Sequence, residues 1–411
     1  MLDDKLIKLM SGLLPQVLSF KSSTDTLLSD FFKNHKYLKK NERNIVVMVI
    51  YGVLRHYYTI TSMVTKNDYL SMLGLSILQL PINTPEIHAS IKSINFLALE
   101  QLVKPNSLES KAELPKWIIE QLRLKYSEEE VIKLGQSLQQ QACLDLSVNT
   151  AKTSVKPVLK ALTDLGLAAK QMQYSAFGVR LLDKISLSKS TLFNDGLIEI
   201  QDESSQLGGM LLGVKRGDMV ADFCAGSGGK TPLFGMLMRN IGRIYAFDIN
   251  ESRLNNLLPR LRRSGLSNIY PELIAHENDV KLQRLYGKMD RVFVDAPCTG
   301  LGTLRRNPDL KFYNNLADLE KITVKQLNIL TAASKLVRSG GYLVYATCSI
   351  LNAENEEVVK KFLQNNSDFR LISAKSALAK IKLEFIDDDF LILLPHIHGT
   401  DGFFASLLQK C

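Results

Sequence analysis

The sequence predicts an α/β protein: a doubly wound, Rossmann-like parallel sheet in the C-terminal half, a small α/β linker subdomain before it, and an all-α N-terminal domain. Three observations predict it. From about Gly196 onward, five short apolar runs alternate with helix-length segments, the pattern of a parallel sheet with helices on both faces. Before Gln140 no Gly-rich strand–turn pattern occurs. Between the two lies a stretch of mixed periodicity.

Taken in order, "RNIVVMVIYGVLR" (Arg43–Arg55) has the length and apolar density of a buried helix. Leu114–Gln140 opens with "LPKW", a proline suited to a first helical turn, and continues at helical spacing. The helical domain is therefore drawn over residues 1–140. "LDLSVNT" (Leu144–Thr150) alternates as a strand, Ser154–Leu165 is helical, and "FGVRLL" (Phe177–Leu182) is strand-like; these define a small α/β subdomain over 141–205. The remaining domain, 206–411, carries strands at Met219–Ala225, Arg243–Ile249, Asn268–Ile274, Arg291–Pro297 and Gly341–Cys348. In such sheets ligands bind beyond the carboxyl ends of the strands, where the strand order reverses.

The 411 residues are 45% hydrophobic and 23% charged, an ordinary globular composition. No apolar run reaches the ~20 residues that span a bilayer, and the opening "MLDDKLIKLM" has no signal-peptide pattern. A cytoplasmic protein without a membrane partner is expected. Five scattered cysteines (Cys143, Cys224, Cys298, Cys348, Cys411) without a CxxC pair argue against a disulfide framework and a zinc site. His396 and His398 lack a further ligand at metal spacing, so no metal is expected. The net charge of +9, concentrated in "RLRRS" (Arg260–Ser264) and "LRRNPDLKF" (Leu304–Phe312), favours a polyanionic partner.

The first strand runs into "DFCAGSGGKT" (Asp222–Thr231). A Walker A loop requires glycine where Cys224 stands, and a dinucleotide G-x-G-x-x-G starting at Gly226 requires glycine where Thr231 stands; both fail. A Gly-rich turn after strand one, with Asp248 closing strand two, suits an adenosine-bearing cofactor such as S-adenosylmethionine. Asp248 is placed to accept from ribose hydroxyls, and Asp279 in "END" (Glu277–Asp279) to read an adenine edge. The competing readings are a surface acid or helix cap for Asp248 and an ordinary loop acid for Asp279.

Cys298 in "VDAPCTGLG" and Cys348 in "YATCSI" each follow a strand, and neighbouring parallel strands bring both thiols to one rim. A thiolate can add to an electron-poor carbon such as C6 of a pyrimidine, which makes C5 nucleophilic.

These residues resemble the RNA cytosine-5 methyltransferases of the RsmB/Sun type. The resemblance rests on "DFCAGSGGKT", "FDIN", "DAPCTGLG", "ATCSI" followed by "NAENEEVV", and "HGTDGFFASLL", with "LIEIQDESSQL" (Leu197–Leu207) and "LDLSVNT" as the linker pattern. The helical N-terminus is similar to the NusB-like RNA-binding domain of such enzymes, "YGVLR" (Tyr51–Arg55) matching best. The resemblance implies S-adenosylmethionine as cofactor, contacted by Cys224, Ala225, Gly226, Ser227, Gly228, Gly229, Lys230, Asp248, Asp279 and Asp295. It implies Cys348 as the nucleophile that attacks C6, Cys298 as the cysteine that releases the adduct, and Asp295 as the acid at the pyrimidine edge. Lys230 is the expected partner of the cofactor carboxylate.

The target cytosine must be unstacked to present C6, and Arg305, Arg306 and Lys311, just past "PCTG", are expected to hold phosphates with Lys230. Arg260, Arg262 and Arg263 form either a second basic patch or a solvated helix face. Trp117 reads as core. The implied substrate is small-subunit 16S ribosomal RNA before assembly, and a monomer is the default. Three departures from the family pattern stand out: "CAGSGGKT" for "CAAPGGKT", Ser147 where many relatives carry arginine, and "PCTG" for "PCSG". Two alternatives remain. A DNA cytosine-5 methyltransferase uses the "PC" cysteine as nucleophile and needs no Cys348. A non-catalytic RNA-binding assembly factor needs neither cysteine.

Overall fold

In the computed structural model, which describes residues 2–182, 186–187 and 189–411, the five apolar runs form adjacent members of one sheet. They are β5 (Met219–Asp222), β6 (Arg243–Asp248), β7 (Ile269–Leu273), β8 (Met289–Asp295) and β9 (Val337–Thr347). All neighbouring pairs among them are parallel, in the order β9-β8-β5-β6-β7. The order reverses at β5, so a crevice is expected at the carboxyl ends of β5, β6 and β8. Three further strands extend the sheet antiparallel beyond β9: β10 (Phe369–Ile372), β11 (Leu391–Leu393) and β12 (Phe403–Lys410), with β12 pairing β9, β10 and β11.

Side chains alternate across this sheet. Ala221, Tyr245, Phe247, Val292, Val294, Leu343 and Tyr345 join the core on one face; Val220, Ile244, Ala246, Phe293, Val344 and Ala346 join the core on the other. Both faces are buried, which is why the strands read as continuous apolar runs.

The small subdomain holds β1 (Leu144–Val148), β2 (Ala169–Gln171), β3 (Gly178–Leu181) and β4 (Ile198–Ile200) in an antiparallel sheet ordered β2-β3-β1-β4. It shares one compact unit, Ala142–Gly302 with Ala317–Cys411, with the large sheet.

The other unit comprises Met1–Gln141 and Thr303–Leu316. Its helices include Asp4–Val17, Thr24–Asn34, Lys40–Arg55 and Tyr69–Leu78, packed around Val46, Val49, Ile50, Val53 and Leu73. The stretch expected as one helix over 114–140 is two, Lys116–Arg123 and Glu128–Gln139, because Ser127 and Glu130 close a capping box that starts the second. Trp117 is half-buried rather than a core residue.

The inclusion of Thr303–Leu316 in the helical unit corrects the expectation for its cations. Lys311 is 1% exposed. Its ammonium donates to the carbonyls of Glu113 (2.9 Å) and Arg55 (3.3 Å) and to Gln139 Oε1 (3.4 Å), while Phe312 stacks on Phe20 with centroids 4.1 Å apart. Burial first, with the Arg55 charge, pulls the Lys311 amine down to about 7 against the pull of Glu113. Arg305 is likewise buried, and Arg55 Nη2 donates to its carbonyl at 2.8 Å. Lys311 and Arg305 are thus buried within the helical unit, against the expectation of surface phosphate contacts, and Arg306 is half-buried. No single helix among the described residues is long and apolar enough to cross a membrane.

Candidate active site

The turn after β5 begins the site. Gly226 and Gly228 take left-handed φ values of 56° and 80°, which glycine adopts without a Cβ penalty. The Gly226 N–H donates to Asp248 Oδ2 at 2.8 Å, and Asp248 Oδ1 accepts from the Asn250 N–H at 2.8 Å. Asp248 therefore shapes the loop as well as facing the crevice. From the other side, Gln201 Nε2 donates to the Gly229 carbonyl at 2.7 Å and Arg260 Nη1 to the Gly228 carbonyl at 3.3 Å. Arg260 and Arg263 also pair with Glu199 of β4, at 3.7 and 3.2 Å. The linker pattern "LIEIQDESSQL" thus fixes the glycine loop, and the "RLRRS" cations are largely spent on it.

A cavity of about 360 Å³ opens at the strand ends, with Cys224, Asp248, Asn250, Arg253, Glu277, Asp295, Pro297 and Lys325 among its lining residues. This crevice at the switch point has the size and mixed polar–apolar wall of a small-molecule site. Of the residues expected to contact the cofactor, Cys224, Asp248 and Asp295 line it, whereas Ala225, Gly226, Ser227, Gly228, Gly229, Lys230 and Asp279 do not. Asp279 caps the 3-10 turn Val280–Leu285 instead, its carboxylate accepting from the Ala275 N–H (2.7 Å) and the Lys281 N–H (2.9 Å), which hold it below the ordinary aspartate range. Glu277, two residues earlier, faces the cavity. Lys230 does not line it, and the cations that do are Arg253 and Lys325. Sequence reasoning missed both; only their helical position after "FDIN" and in Leu316–Ser334 places them there.

Lys230 is 7% exposed, and its ammonium meets Asp295 Oδ2 at 2.6 Å. Burial opposes its charge, but Asp295 outweighs burial and raises the amine above its ordinary value. Asp295 both receives this ion pair and lines the cavity.

Beneath the loop, Asp222 is buried and accepts from Thr231 Oγ1 at 2.7 Å. Burial, against the Thr231 hydrogen bond, pushes its carboxyl up to about 7. Because this folded value lies above the unfolded one, the group's contribution to stability is fully present near pH 4 and is lost as pH rises through about 7. Between about pH 4 and 7 the parent is therefore expected to lose stability relative to Asp222→Asn, at ~1.4 kcal/mol per pKa unit. Equal slopes of thermal midpoint against pH in the two proteins would refute the assignment.

The two cysteines meet. Cys298 Sγ and Cys348 Sγ are 3.2 Å apart, as the parallel register of Asp295 beside Ala346 places the tips of β8 and β9 together. Contact with the Cys348 sulfur first, then burial, raises the Cys298 thiol well above its ordinary value. Backbone close packing holds the turns. The Gly302 N–H donates to the Cys348 carbonyl (2.9 Å), the Gly402 N–H donates to the Gly302 carbonyl (2.8 Å), and a Cβ on Gly302 would stand 2.1 Å from the Gly402 oxygen. This explains the second glycine of "DAPCTGLG" and the glycine of "TDGFF": neither position has room for a side chain.

Among the described residues no group of three or more His, Cys, Asp or Glu side chains could hold a metal ion; His398 Nδ1 accepts from the Leu394 N–H at 3.0 Å.

A family model described as 16S rRNA methyltransferase RsmB/F matches residues 209–409. A second, for the ferredoxin-like domain of RsmF/B-like methyltransferases, matches residues 114–188, beginning before the residue-141 boundary drawn from the sequence. A probable ribosomal RNA small subunit methyltransferase B of Synechocystis is 33% identical over 74% of this chain and 68% of its own length. A mouse protein named 28S rRNA (cytosine-C(5))-methyltransferase is 30% identical over 65% of this chain and 35% of its own length. The crystal structure of a methyltransferase homologue from Pyrococcus horikoshii superposes with a TM-score of 0.60 at 30% identity, covering 72% of this chain and all of that one. The paired thiols, the glycine loop and these likenesses lead to one assignment: the chain belongs to the RsmB/F family of ribosomal RNA methyltransferases.

Proposed function

We propose that this methyltransferase places a methyl group on carbon 5 of one cytosine of small-subunit ribosomal RNA, through a covalent cysteine–C6 adduct, before subunit assembly hides the base. The observation that carries the reading is the 3.2 Å approach of Cys298 and Cys348 at adjacent strand tips, next to a cavity lined by Asp295 and Pro297.

S-adenosylmethionine is the methyl donor and supplies an electrophilic methyl group. Residues of the crevice suit it: Asp248 for the ribose hydroxyls, Glu277 in place of Asp279 for the adenine side, and Arg253 or Lys325 in place of Lys230 for the carboxylate. The Cys348 thiolate would add to C6, breaking the C5–C6 π bond and passing its electron pair to C5, which would take the methyl group as the donor's methyl–sulfur bond breaks and S-adenosylhomocysteine leaves. A base, here solvent water, would then take the C5 proton, the C–H pair would re-form the C5–C6 π bond, and the C6–sulfur bond would break with its pair returning to Cys348. Cys298, in contact with the attacking sulfur, serves the release step. Asp295, held by Lys230, accepts a hydrogen bond at the pyrimidine edge. A NusB-like RNA-binding role for the helical unit fits its all-helical build, with Arg306 the remaining candidate of the "LRRNPDLKF" cations.

Bisulfite mapping of ribosomal RNA from cells lacking this chain tests the reading. One small-subunit cytosine is expected to lose its methyl group, and the purified protein with S-adenosylmethionine to restore it on deproteinised RNA but not on assembled subunits. Unchanged small-subunit cytosines would overturn the proposal.

A further inference from the structure

Glu354 is fully buried in the loop after β9, and its carboxylate is a hub. Oε1 accepts from the Thr299 N–H at 2.8 Å and from Gln326 Nε2 at 3.0 Å; Oε2 accepts from Thr299 Oγ1 at 2.5 Å and from Ser349 Oγ. Thr299 directly follows Cys298, and Ser349 directly follows Cys348. The two cysteine turns, fifty positions apart in the chain, are thus tied to one anion. Gln326 ties the same carboxylate to the Pro297 carbonyl at 3.0 Å, and Tyr345 OH donates to the Glu354 carbonyl at 2.6 Å. A buried carboxylate satisfied by four donors is costly to displace, and here three of the four, the Thr299 N–H, Thr299 Oγ1 and Ser349 Oγ, come from the cysteine turns.

We infer that Glu354 is a positioning residue of the active site, holding the turn after Cys298 and the turn after Cys348 on a single carboxylate and so fixing the separation of the two sulfurs. This rests on the two-cysteine mechanism proposed above. The hydroxyl shared by "PCTG" and "PCSG" acquires a reason: either residue can donate to this carboxylate. After the Cys348 contact and burial, the Glu354 charge adds to what opposes ionisation of the Cys298 thiol. Cys298 keeps its proton while its neighbour attacks.

Two measurements on Glu354→Gln in the full chain test the inference. In steady-state methyl transfer, kcat is expected to fall at least tenfold while KM for RNA stays within threefold, because the residue touches the cysteine turns and not the RNA. In the free protein, mass spectrometry of iodoacetamide labelling is expected to show Cys298 alkylated at least fivefold faster at pH 8 than in the parent, with exposed Cys411 unchanged as internal standard. The second readout needs no turnover, so it stands or falls independently of the proposed reaction; retention of methyl transfer by Cys348→Ala would instead sink the reaction itself. A kcat within twofold of the parent, a loss carried by KM, or unchanged Cys298 labelling would each overturn the inference. If Glu354→Gln fails to fold, Ser349→Ala carries the kinetic test: a kcat loss of threefold or more at constant KM supports the clamp, and parental kinetics refute it.

Discussion

Cys348→Ala is expected to abolish methyl transfer, lowering kcat by at least about three orders of magnitude, the scale on which loss of a nucleophile ordinarily registers. Folding should be spared. Cys348 is only partly buried, and its turn is held by groups other than its sulfur: the Ser349 hydroxyl on Glu354, and Asn355 Nδ2 donating to the Ser349 carbonyl at 3.1 Å. The check is transfer of a labelled methyl group to RNA alongside the thermal midpoint. Activity within tenfold of the parent at an unchanged midpoint would exclude Cys348 as nucleophile and favour chemistry at Cys298 alone.

Cys298→Ala is expected to fail in a different way. On the proposed mechanism the variant retains the attacking thiol, so the adduct is expected to form, but loses the neighbour that sits 3.2 Å from it and that the proposal assigns to release. Incubation with RNA and S-adenosylmethionine should therefore convert a large share of the protein, tens of per cent, into a species that migrates as a protein–RNA conjugate on a denaturing gel. The parent should show only a trace. Two cysteines doing the same job would give two variants with the same phenotype; the proposal has one variant block bond formation and the other bond cleavage. A Cys298→Ala protein that neither turns over nor accumulates the conjugate would contradict this division.

The parallel sheet was legible because strands buried on both faces leave uninterrupted apolar runs, as β5, β6, β8 and β9 do. The strand-tip cysteines were legible for the same reason: once the runs are read as neighbouring strands, "PCTG" and "TCS" must share a rim. The antiparallel extension was not read, since β10 and β11 are only four and three residues long and gain their pairing from β12. "LRRNPDLKF" misled, because its basic residues suggested a phosphate surface. In a chain segment that joins a helical core, the aliphatic stem of Lys311 and the ring of Phe312 pack, and the ammonium finds carbonyls. Asp279 misled likewise, since a capping acid and a ligand-facing acid look alike in sequence and only the N–H groups of Ala275 and Lys281 tell them apart. Glu354 could be seen only as one letter of "NAENEEVV"; its partner Thr299 lies fifty-five positions away, a distance no local pattern spans.

The measurement that bears most directly on the convergence of the two sulfurs is identification of the peptide that carries the nucleotide in the trapped Cys298→Ala conjugate. After digestion with nuclease and protease, tandem mass spectrometry is predicted to place the added cytidine mass on Cys348. Attachment at any other residue, Cys224 included, would contradict the account.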